Sequence, residues 1–91
     1  MISRAVQGVC AFVWRTYLLS HKGVDENDSR RAALHRYVSD LRDSGEHDFD
    51  TLQVAGLVYL RRLDEFGEDR RAREAASAAL VTRVSRLAAS A

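Results

Sequence analysis

The 91-residue chain has no proline, one cysteine, one methionine, one tryptophan and five glycines. With no proline and so few glycines, the composition argues against a strand-rich fold with many tight turns. Long helices with short connections fit better. A lone cysteine, Cys10, excludes an intramolecular disulfide and any zinc site built on several thiolates, and it fits a reducing compartment. A net charge of +1 leaves no strong overall field to attract nucleic acid or anionic membrane. Long hydrophobic runs are also missing. The apolar stretch from Ala5 to Trp14 is interrupted by Gln7 and ended by Arg15, too short to span a bilayer. No small-x-small cleavage site follows it, and Val9 before Cys10 is unlike a lipoprotein signal. A cytoplasmic protein with an intact first helix is expected.

What remains is the composition of a folded domain, with 46% hydrophobic and 30% charged residues. Its length allows a single domain over 1–91. The charges are uneven. Residues 1–24 carry Arg4, Arg15 and Lys22 and no acid, residues 25–50 hold an acidic excess, and residues 68–91 are again basic. Nearly all the cationic residues are arginine. A GC-rich coding sequence accounts for that more simply than phosphate recognition does.

The clearest element is Asp48 to Gly67. Asp50 with Gln53 three residues on has capping-box spacing, and Phe49 with Val54 could staple the entry. Phe49, Leu52, Gly56, Tyr59, Leu60, Leu63 and Phe66 recur at helical spacing, and Gly67 ends the run. An earlier helix is centred on Ile2, Val6, Val9, Val13 and Tyr17. Phe12 and Leu19 widen its apolar arc on one flank, Cys10 and Trp14 on the other. An arc that wide belongs to a central helix or one covered by a partner. A narrower stripe of Ala33, Leu34, Tyr37, Val38 and Leu41 marks another helix, with Asp25, Asn27 and Asp28 competing to cap it and Asp25, Glu26 and Asp28 in its first turn. The last stripe is Ala72, Ala76, Ala79, Leu80, Val84 and Leu87. Together these predict an all-α, small antiparallel bundle of about four helices, over roughly 2–20, 27–44, 50–66 and 68–88. At Gly67 a tight hairpin is expected, with one long kinked helix as the alternative.

Chemical motifs are scarce. Glu46-His47-Asp48-x-Asp50 reads as a solvated loop whose acids cap a helix, not as a metal site. His35 has no carboxylate three or four residues on, and His21 sits in the loop after the first helix, where a partly exposed structural histidine is the simpler reading. No G-x-S-x-G or phosphate-binding glycine loop is present. Cys10 lies in an apolar run without a neighbouring cation. No enzyme activity, cofactor or metal is expected.

Surplus apolar residues are the positive signal. Val54, Leu57 and Val58 fall off the core side of their helix, and Phe12, Trp14, Leu18 and Leu19 are an excess on the first. Apolar strips of this kind mark interfaces. The chain is therefore expected to be a small non-catalytic protein-interaction or regulatory module, as a homodimer or with another protein. Trp14, Leu18, Val54, Leu57, Val58 and Arg61 are its candidate contacts. The competing reading for the valines is that other helices cover both sides. The alternative function is a small DNA-binding regulator that uses the second and third helices as a helix-turn-helix pair. It could instead contact phosphate through Arg70, Arg71 and Arg73.

Overall fold

The computed structural model describes the backbone of residues 4–90 and the side chains of residues 4–81. Ile2, Val84 and Leu87 lie outside the residues whose side chains are described. The chain forms α1 (Arg4–Ser20), α2 (Ser29–Asp43), α3 (Phe49–Phe66) and α4 (Asp69–Ser90), an all-α bundle with no strand among the described residues.

The caps explain the boundaries. Asp28 starts α2 by accepting from the Arg30 amide. Asp25 and Glu26 therefore precede α2, and its first turn carries no acid, contrary to the sequence reading. The α3 start also differs. Asp48, not Asp50, is the cap; its carboxylate accepts from the Thr51 amide at 3.3 Å and the Thr51 hydroxyl at 2.6 Å. Phe49 then becomes the first helical residue and Asp50 a first-turn acid. The Asp50–Gln53 box and the Phe49–Val54 staple lose the frame they require. Gly67 closes α3 in the left-handed region at φ 67°, its amide donating to the Leu63 carbonyl oxygen. That geometry suits glycine and turns the chain into a hairpin, so α4 folds back along α3.

Side-chain contacts set the topology. The end of α1 (Tyr17), the start of α2 (Arg30) and the end of α3 (Asp64) meet at one end of the bundle. Further along, Val13 and Leu34 both press on Gly56. So α1 and α3 run the same way and α2 runs against them. α3 is the central element, packed on α1, α2 and α4. The core is built from Val6, Val9, Val13 and Tyr17 of α1, Leu34, Tyr37 and Val38 of α2, and Leu52, Tyr59 and Leu60 of α3, with Ala72 and Ala76 of α4. Tyr37 and Tyr59 stack at its centre, ring centroids 4.6 Å apart. Of the two readings of the wide α1 arc, a central helix or one covered by a partner, the first does not hold, because α3 takes the centre.

Candidate functional site

Residues seven apart lie on nearly the same line of a helix. On α1 that line holds Phe12, 52% exposed, and Leu19, 78% exposed. Both are turned away from the Val6–Val9–Val13–Tyr17 face that enters the core. Arg4, Gln7, Gly8, Ala11 and Arg15 of this helix are exposed as well. Among the described residues α4 packs on α3, and it gives α1 no comparable cover. Beside the exposed line runs an open depression lined by Ala11, Trp14, Arg15, Leu18 and Leu19 of α1, by Glu26 of the following loop and by Arg31 of α2. Its floor is fixed by two donors on one acceptor. The Trp14 indole N–H reaches the Glu26 carbonyl oxygen at 3.0 Å, and the Arg31 guanidinium reaches the same oxygen at 3.4 Å.

The six candidate contacts divide between two helices. Leu18 is half-buried in the depression, whereas Trp14, at 3% exposed, gives its ring to the core and stacks on Tyr17. On α3, Leu57 and Val58 are half-buried against the core, so only Val54 and Arg61 stay exposed. Val54 sits about 160° round α3 from Gly56, which faces α1 and α2. The structure thus separates the α3 residues from the α1 pair. Much of the apolar surplus on α3 is absorbed because that helix is central. The α1 surplus at Phe12 and Leu19 is not absorbed. Phe12 and Leu19 belong to the apolar excess that the sequence shows on this helix, but not to the six candidate contacts; the helical line that excludes them from the Val6–Val13 face is the signal that separates them from Trp14.

The candidate phosphate contacts all face acids. Arg70 pairs with Glu74 at 3.4 Å and Arg71 with Glu68 at 3.7 Å. Arg73 bridges to Asp40 of α2 at 2.7 Å and to Asp69 at 3.0 Å, and it lies over the Tyr37 ring. The first two are surface pairs of little energy. Arg73 is committed to holding α4 on α2.

A polar knot closes the end of the bundle where α1, α2 and α3 meet. The Tyr17 hydroxyl donates to Asp64 at 2.7 Å, and the Arg30 guanidinium donates to the Asp64 carboxylate at 2.9 Å and to the Tyr17 hydroxyl oxygen at 2.7 Å. His21 Nε2 faces Asp64 at 3.1 Å, and Nδ1 faces the Tyr17 carbonyl oxygen at 2.9 Å. The carboxylate that pairs with His21 is therefore on α3, out of reach of any local spacing rule. Burial, with Asp64 beside it, pushes the Tyr17 phenol up to about 12. The hydrogen bonds from Arg30 hold Asp28 down to about 2. Every member has a partner within the knot, which gives it the character of a structural clasp.

Cys10 is buried, and burial pushes its thiol up to about 12, the reverse of what a nucleophile needs. Among the described residues, no group of three or more His, Cys, Asp or Glu is placed to hold a metal ion. No described helix is long and apolar enough to cross a membrane. Compared with protein families, with curated proteins and with solved structures, the chain matches none.

Proposed function

We propose that this chain is a small non-catalytic protein-interaction module that docks its partner on the outer face of α1. The observation that carries this reading is the exposure of Phe12 and Leu19 on one line of a helix to which α4 gives no comparable cover among the described residues. Burying a leucine-sized side chain contributes roughly 1.5–3 kcal/mol, so two such residues beside an apolar depression offer a partner useful anchoring energy. The DNA-binding alternative has less support, because Arg73 is held by Asp40 and Asp69, and Glu68 and Glu74 sit among the remaining arginines. The test is affinity capture from the native host with the wild-type chain and with Leu19→Asp. Proteins retained by the wild type and lost by a folded Leu19→Asp variant support the reading. An identical set on both, or retention of duplex DNA alone, rejects it.

A further inference from the structure

The chemistry of that face restricts what can dock on it. α1 carries no acid at all, and its exposed surface includes Arg4 and Arg15, neither of which is engaged in an ion pair among the described residues. Across the depression stands Arg31, whose guanidinium is bonded to a backbone carbonyl oxygen and not to a carboxylate. Among the described lining residues Glu26 is the one acid, at the loop end. The surface is thus an apolar trough with a cation on each bank.

A second copy of the chain is a poor occupant. If two α1 helices pair antiparallel across Gly8 and Ala11, Arg4 of each approaches Arg15 of the other. If they pair parallel, Arg15 meets its own copy. Neither register places an acid opposite an arginine, and like charges in contact are unfavourable. An amphipathic helix with acidic flanks fits instead. Its apolar stripe would fill the trough beside Leu18 and Leu19, and its carboxylates would pair with Arg15 and Arg31, an arrangement suited to arginine's forked donors.

We infer that the outer face of α1 receives an acidic amphipathic helix of another protein, seated between Arg15 and Arg31. This rests on the docking reading above. The test uses two synthetic helical peptides of about 18 residues, long enough to hold helix, with one shared leucine stripe. In one the flanks are glutamate, in the other lysine. Binding is read by the anisotropy of a labelled peptide and by the emission of Trp14, the single tryptophan, which lies at the trough. The glutamate peptide is expected to bind at least about tenfold more tightly than the lysine peptide. Arg15→Glu should erase or reverse that preference, and Leu19→Asp should abolish binding of the glutamate peptide, both with unchanged far-UV circular dichroism. Equal binding of both peptides, or preference for lysine, overturns the acidic partner while leaving the docking face standing. Failure of both peptides to bind overturns the inference, and the host-capture experiment then judges the docking face separately. Concentration-dependent self-association that Leu19→Asp removes would also overturn it, in favour of a second copy.

Discussion

Asp48 does for α3 what no backbone group can do. The first turn of a helix leaves amides without intrahelical partners, and this carboxylate takes up the Thr51 amide and binds the Thr51 hydroxyl as well. Removing a cap of this type costs about 1 kcal/mol. Asp48→Ala is accordingly expected to lower unfolding stability by about 1 kcal/mol in urea titration, whereas Asp50→Ala, which loses only a favourable dipole contact, should cost no more than about 0.5 kcal/mol. The reverse order would place the cap at Asp50. Both aspartates are plausible caps in the sequence, separated by Phe49, and helical periodicity fixes the stripe without fixing its first residue. Thr51 was the missed signal, because it suits Asp48 as a partner three residues on. The Asp64 knot was less legible still. Tyr17, His21, Arg30 and Asp64 come from three helices and a loop, and only the packed topology brings them together.

At the scale of the element, two glycines in helices show what the spacing rule can and cannot say. Gly56 lies where α3 crosses α1 and α2. A Cβ there would meet Leu34 Cδ1 at 3.2 Å and Val13 Cγ2 at 3.3 Å, so its lack of a side chain sets the closeness of three helices. Gly8, on the outer face of α1, has nothing within 4 Å of such a Cβ. Opposite outcomes follow from thermal and urea unfolding. Gly8→Ala should stabilise by about 0.5–1 kcal/mol, through helix propensity alone. Gly56→Leu should destabilise by about 1–3 kcal/mol or more, because Val13 and Leu34 are fully buried and have nowhere to go. Comparable responses at the two sites would refute this packing of Gly56 against Val13 and Leu34. Periodicity located the helices well, since apolar residues at three and four spacing leave little choice. It placed Gly56 on the core side of α3 correctly. It also put Phe49 and Phe66 in the same stripe, yet both remain exposed. They are the terminal residues of α3, where a regular stripe is no guarantee of a neighbour.

For the whole molecule, the four helices are not equally secured. α1, α2 and α3 share large side chains, the Tyr37–Tyr59 stack and the Asp64 knot. Among its described residues α4 buries two alanines fully and Leu80 in part. Alanine allows close approach but removes little apolar surface from water. Over the described residues the attachment of α4 therefore also draws on polar ties: Tyr59 donating to Asp69, and Arg73 binding Asp40 and Asp69 above the Tyr37 ring. Replacing Arg73 removes the ion pairs, the cation–ring contact and the packing of its stem, together about 1–2 kcal/mol. In Arg73→Ala, native-state hydrogen exchange at residues 69–81 should quicken by roughly tenfold, with α1 and α3 nearly unchanged. If all four helices quicken in step, α4 is an integral wall of a single cooperative bundle. The asymmetry also bears on function. Because α4 packs on α3 and gives α1 no comparable contact among the described residues, the Phe12–Leu19 line of α1 stays exposed there, as do Arg4 and Arg15 beside it.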